Sequence, residues 1–131
     1  MLKAATEGDI ESSVATAVQQ GAAALYIGGD AYLLSRSRHI AFFALSHRLP
    51  TLGEDRGAVS AGILMTYGTN RVDIYRQAGV YVGRILKGDK PASLPVMQPT
   101  KFELLINTTT AKAIGLSVPP TLLAVADEII E

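Results

Sequence analysis

The sequence predicts an α/β fold, a parallel sheet flanked by helices. Three observations carry this. Helical and strand-like stretches alternate through the first hundred residues, which is the pattern of βαβ units. The strand-like stretches are short apolar runs that end in glycine, as buried strands do. The helical stretches keep their apolar residues on one face.

In order along the chain, Asp9 is placed to cap a first helix with Ile10, Val14, Ala17 and Val18 inward, and Gly21 stops it. Residues 23–27 read as a buried strand entering the loop Gly28-Gly29-Asp30. A second helix starts near Leu34 or Ser35, with Ile40, Phe43, Ala44 and His47 on its inner face. Residues 50–53 are a second strand, 54–62 a loop, and 63–67 a third strand ended by Gly68. Asn70 caps a long helix, with Asp73 three residues on and Gly88 just past its end. Tyr75, Ala78, Gly79, Val82, Ile85 and Leu86 mark its apolar face. Pro91, Pro95 and Pro99 make the following connector extended and stiff. Phe102–Asn107 reads as a returning buried strand, 109–114 as a short helix closed by Gly115. Pro119-Pro120 then breaks the chain, and Thr121 caps a last helix running to about Ile130.

The organisation is thus one α/β lobe over 1–131, with 69–101 as a crossover helix and proline-rich connector. A helix of about 17 residues spans about 25 Å, and the connector can reach as far again. The segment is shaped to leave one body of protein and return.

At 131 residues the chain is long enough for one domain with a core of its own. Twelve basic and twelve acidic side chains balance to zero, which gives no electrostatic reason to expect nucleic acid or an anionic membrane as a partner. The absence of cysteine excludes structural disulfides and thiol catalysis. No apolar run approaches the roughly 18 residues of a membrane helix, and no signal-peptide pattern opens the chain. No serine stands in a nucleophile elbow, and no glycine-rich run matches a phosphate or dinucleotide loop. His47 reads as a packed core histidine, and His39 has no Cys or carboxylate at metal-ligand spacing. No enzyme, cofactor or metal site is expected.

In open α/β sheets, ligands bind beyond the C-terminal ends of strands. Three such ends are readable here: Gly28-Gly29-Asp30, Gly53-Glu54-Asp55 and Tyr67-Gly68-Thr69. Gly28 and Gly29 let the backbone turn and approach a ligand, and the Asp30 carboxylate can pair with a cationic amine or simply cap the next helix. Glu54 either lines the same cleft or is a solvated loop residue. Tyr67 either stacks on an apolar ligand or packs in the core with its hydroxyl at the rim. Gly68 and Thr69 either touch ligand or form a hinge.

The runs Tyr75-Arg76-Gln77-Ala78-Gly79, Ile85-Leu86-Lys87-Gly88, Pro99-Thr100-Lys101-Phe102-Glu103-Leu104-Leu105-Ile106-Asn107 and Ala111-Lys112-Ala113-Ile114-Gly115-Leu116, followed by Pro119-Pro120, carry a resemblance. In this order and spacing they resemble the C-terminal part of ABC-transporter substrate-binding proteins of the type I periplasmic-binding-protein fold. The subgroup is the one whose better-known members bind aromatic amino acids. The resemblance implies one lobe, plus a crossover helix, of a two-lobed protein that closes on a small-molecule ligand such as an amino acid. It implies an acidic residue at the position of Asp30 that receives the ligand's amino group; Ala31-Tyr32 departs from the family's Asp-Asn pairing there. It further implies hinge positions at Gly68, Thr69 and Thr100, an ABC permease as partner, and a periplasmic or extracytoplasmic location.

Two other readings stand beside this one. A flavodoxin-like or receiver-like regulatory domain would use Asp30, Glu54 and Asp55 as a Mg²⁺ cluster, but no matching lysine follows a later strand. A purely structural, oligomerising fragment would bind nothing. The helix over 72–86 bears on the state of association. Its apolar face has no partner in a compact single lobe, and leaving it wet forfeits about 1.5–3 kcal/mol for each large side chain. A homodimer through that helix is therefore expected.

Overall fold

A computed structural model describes residues 4–131. The chain divides into two compact units: the residues before Thr69 together with Glu103–Glu131, and Thr69–Phe102.

The larger unit carries a five-stranded sheet in the order β1 (Leu25–Tyr26), β2 (Thr51–Gly53), β3 (Met65–Thr69), β4 (Phe102–Asn107) and β5 (Glu128–Ile130). β1 pairs with β2, β2 with β3 and β4 with β5, all in parallel. β3 and β4 run antiparallel: Asn107 N–H donates to the Leu64 carbonyl at 2.8 Å and Asn70 N–H to the Lys101 carbonyl at 3.0 Å, so numbers rise along one backbone as they fall along the other. The sheet is thus mostly, not wholly, parallel.

Helix α1 (Glu7–Gln19) packs on α3 (Ser37–Ser46) through Ile10, Val14 and Ala17 against Ile40, Ala41 and Ala44. Ile63 and Leu64 are consecutive residues entering β3 and join different clusters, because neighbouring side chains of an extended backbone point to opposite faces. Ile63 meets Ile10, Ile27 and Ile40; Leu64 meets Ala111 and Ile114 of α6 (Thr108–Ile114). Asn107 joins these parts: its Oδ1 accepts from Thr110 N–H at 2.8 Å and caps α6, while its Nδ2 donates to the buried Val59 carbonyl at 3.0 Å. Gly115 closes α6 in the left-handed conformation that favours glycine.

Several local expectations need correction. Thr6, not Asp9, is the N-cap of α1; Asp9 sits at the third helical position and completes a capping box. The stretch after Asp30 is already helical, with α2 (Ala31–Ser35) preceding α3, and the loop 54–62 contains the single-turn α4 (Arg56–Ser60) capped by Asp55. His47 ends α3 and is exposed rather than packed in the core. The last helix stops early: α7 spans only Pro120–Leu123, and the chain then forms β5. Leu105, Ile106 and Asn107 offer Glu128, Ile129 and Ile130 a parallel ladder, and the Asp127 carboxylate accepts from Leu104 N–H at 2.8 Å to start it.

The smaller unit is α5 (Arg71–Leu86) with the connector laid along it, including a 3₁₀ turn at Pro91–Ser93. Asn70 caps the helix by accepting from Asp73 N–H, and Gly88 follows its end with φ +109. Asp73 is buried and accepts from Arg76 (2.6 Å), Gln77 (2.7 Å) and Lys101 (3.0 Å). These donors, Lys101 foremost and then Gln77, hold its carboxyl below the usual carboxylate value against the opposing effect of desolvation. Tyr81 donates to the Pro95 carbonyl at 2.5 Å. A hollow of about 160 Å³ is lined by Ile74, Gln77, Ala78, Tyr81, Met97 and Pro99. Val72, Tyr75, Val82 and Leu86 stay largely exposed.

Candidate functional site

β1, β2 and β3 are parallel, so their C-terminal ends lie on one edge. The register pairs Tyr26 with Leu52 and Gly53 with Thr66, which sets Glu54, the residue after β2, between the ends of β1 and β3. Of the candidates on these ends, Gly29 and Gly68 both come against Glu54. A Cβ built on Gly29 would lie 2.8 Å from Glu54 Oε2, and one on Gly68 would lie 1.9 Å from the Glu54 carbonyl oxygen. At Gly68 another backbone therefore comes too close for a side chain, whereas at Gly29 the neighbour is only the far end of the flexible Glu54 side chain.

Tyr26 completes this arrangement, and sequence reasoning missed it. Its hydroxyl donates to Glu54 Oε1, and that carboxylate, with some help from desolvation, pushes the phenol above its ordinary pKa. The run 23–27 reads as wholly buried, yet Tyr26 is 58% exposed, as is Tyr67 at 57%. The Tyr26 ring stands at the end of β1, whereas Tyr67, expected to end the third strand, is the middle residue of β3. The available signal was the position of Tyr26 as the last residue of its strand but one before two glycines.

Asp30 lies in the loop after β1, where its Oδ1 accepts from Tyr32 N–H (2.9 Å) and Leu33 N–H (3.1 Å) as the N-cap of α2. Asp55 likewise caps α4 through Gly57 N–H at 2.8 Å. Two of the three acids that a receiver-like Mg²⁺ site would need are thus helix caps, and the third is bonded to Tyr26. Among the described residues, no group of three or more His, Asp or Glu side chains converges as metal ligands would. Arg56 flanks the edge, paired with Glu128 and, at 3.5 Å, with Glu103. Thr69 and Thr100 belong to the smaller unit; the division between units falls between Gly68 and Thr69 and again after Phe102.

The sequence profile of the ABC transporter substrate binding protein family matches residues 2–130. The chain belongs to this family. It is similar to a tyrosine-binding protein of Clostridioides difficile, 26% identical over 92 residues, or 70% of this chain and 27% of that one. A conserved domain protein of Vibrio cholerae superposes with a TM-score of 0.87 at 26% identity, covering 96% of this chain and 42% of that chain. The ABC domain of Streptococcus pneumoniae in complex with L-Trp gives a TM-score of 0.84 at 23% identity, over 98% of this chain and 44% of that one. At that identity the likeness shows the fold. The chain thus spans about a quarter of the length of its curated relative and about two fifths of the solved chains it matches. Among the described residues of this substrate-binding family member, no helix is long and apolar enough to cross a membrane.

Proposed function

We propose that the chain supplies one lobe of the solute receptor of an ABC import system. It takes a small molecule of amino-acid type in the cleft between two lobes and hands it to the permease outside the cytoplasm, without catalysis. The family match over residues 2–130 carries this reading. The edge of β1–β3 supports it, with Gly29, Glu54 and Tyr67 as ligand-binding residues; Asp30, the anion that the resemblance implies, stands beside them as the cap of α2. Gly68, Thr69 and Thr100 would serve as hinges for closure. Relatives named for tyrosine binding and for a complex with L-Trp make an aromatic amino acid the first ligand to try. Calorimetric titration with the twenty L-amino acids and with Mg²⁺ tests the proposal. Heat with one or a few amino acids supports it; heat with Mg²⁺ alone would move the reading to a regulatory domain.

For this chain on its own, a second copy covering helix 72–86 is proposed, because the exposed Val72, Tyr75, Val82 and Leu86 side chains would each gain about 1.5–3 kcal/mol on full burial. Sedimentation at micromolar concentration should show a dimer that Leu86→Glu weakens; a well-folded monomer refutes it.

A further inference from the structure

The proposed function leaves open which acid meets the ligand. The family resemblance directs the ligand's amino group to Asp30, and the geometry of the loops points elsewhere. Asp30 Oδ1 already takes two backbone N–H groups at the start of α2. Its charge is shared with a helix end that an asparagine would cap about as well. Glu54 is placed differently. It is exposed and precedes the residue that caps α4, so no helix start accounts for it. Its backbone is pressed by Gly68, whose Cβ position lies 1.9 Å from the Glu54 carbonyl oxygen. Its side chain is held from the other side: Oε1 takes the Tyr26 hydroxyl, and Oε2 lies over Gly29. A carboxylate has two oxygens with about four lone-pair sites, so one phenol leaves most of its accepting capacity available. The two half-exposed rings, Tyr26 and Tyr67, stand on the strands either side.

We propose that Glu54, and not Asp30, is the anion that receives the ligand's cationic group, with Tyr26 as the residue that positions it. The site is then selective for small molecules that join a primary amine to an apolar or aromatic body. This rests on the reading that the β1–β3 edge binds an amino acid-like ligand.

The test uses the full chain in NMR titrations with three probes: L-tyrosine, tyramine (no carboxylate) and 3-(4-hydroxyphenyl)propionate (no amine). The unsubstituted chain should bind L-tyrosine and tyramine, and the deaminated acid at least about tenfold more weakly. Glu54→Gln should lose about ten- to a hundredfold in affinity for both amines, the range for a charge-assisted hydrogen bond, with the deaminated acid unaffected. Tyr26→Phe should weaken the amines about three- to tenfold and also spare the deaminated acid. A merely structural role would lower all three probes together. Asp30→Asn keeps the cap and should bind as the parent does. Far-UV circular dichroism reports folding for each variant. Three results would overturn the proposal while leaving the binding reading intact: amine affinity unchanged in Glu54→Gln, amine affinity lost in Asp30→Asn, or equal binding of aminated and deaminated probes. No binding of any probe to the unsubstituted chain would remove the binding reading itself and this proposal with it.

Discussion

Adding one methyl group at residue 68 is the sharpest test of the packing at the strand ends. In Gly68→Ala the new Cβ would lie 1.9 Å from the Glu54 carbonyl oxygen, 2.9 Å from its carbonyl carbon and 3.3 Å from its Cα. Carbon atoms in good contact stand about 3.5–4.0 Å apart, so the two backbones must separate by more than about 1 Å. The obstructing atoms follow directly on β2, which is paired on both sides. Moving it disturbs the register of Leu52 with Met65 and of Gly53 with Thr66. Overpacking costs about 1–3 kcal/mol, occasionally more, and an unyielding backbone places this case near 3 kcal/mol. Gly29→Ala is the matched control. Its Cβ would meet only the Glu54 side chain, at 2.8 Å from Oε2 and 3.7 Å from Cδ, and that side chain can rotate away. Its cost should stay under about 1 kcal/mol. Urea unfolding followed by circular dichroism separates the two: at a slope of about 2 kcal/mol/M, Gly68→Ala should lower the midpoint by about 1.5 M. If both variants lose the same stability, or if Gly68→Ala stays within about 0.5 kcal/mol of the parent, close approach is not why glycine stands there.

Two further predictions concern polar groups. Asp73 has a folded-state pKa depressed chiefly by Lys101 and Gln77; its contribution is therefore complete above the unfolded carboxylate value of about 3.9 and lost as pH falls through the lower, folded value. Amide-exchange protection over 71–77 should fall below about pH 4, and Asp73→Asn should abolish that dependence. Asn107→Ala removes the α6 cap, worth about 1 kcal/mol, and strips the buried Val59 carbonyl of its Asn107 donor, about 1–3 kcal/mol more. A loss of about 2–4 kcal/mol is expected by urea unfolding, with Asn107→Asp, which keeps the cap, falling between.

The elements that were legible carry strong local signals. α5 has a cap, an acidic third position, a glycine stop and a continuous apolar stripe. α6 has Asn107 before it and Gly115 after it. The elements that were misread are short. α2 and α4 are single turns started by Asp30 and Asp55, and an Asp after a strand reads equally as a turn, a cap or a binding residue. β5 is three residues long, too short for a period of two to declare itself, and exists because β4 offers it a ladder. His47 lay on the helical apolar period, but α3 ends at Ser46, so the period no longer sets its direction.

From the sequence alone came the α/β alternation, the strand-end residues to examine, and the family. These are readable because periodicity, capping and glycine stops act between residues close in the chain. The tertiary structure decided which of those residues meet. Glu54 is 28 residues from Tyr26, and their bond exists only because β1 and β2 pair side by side. Gly68 is bound to be glycine by the Glu54 carbonyl, just past the end of the neighbouring strand, and Asp73 is buried and charged because Lys101 returns to it across the connector. Each of these depends on register between segments distant in sequence, and register is set by the packing of the whole sheet rather than by any local run.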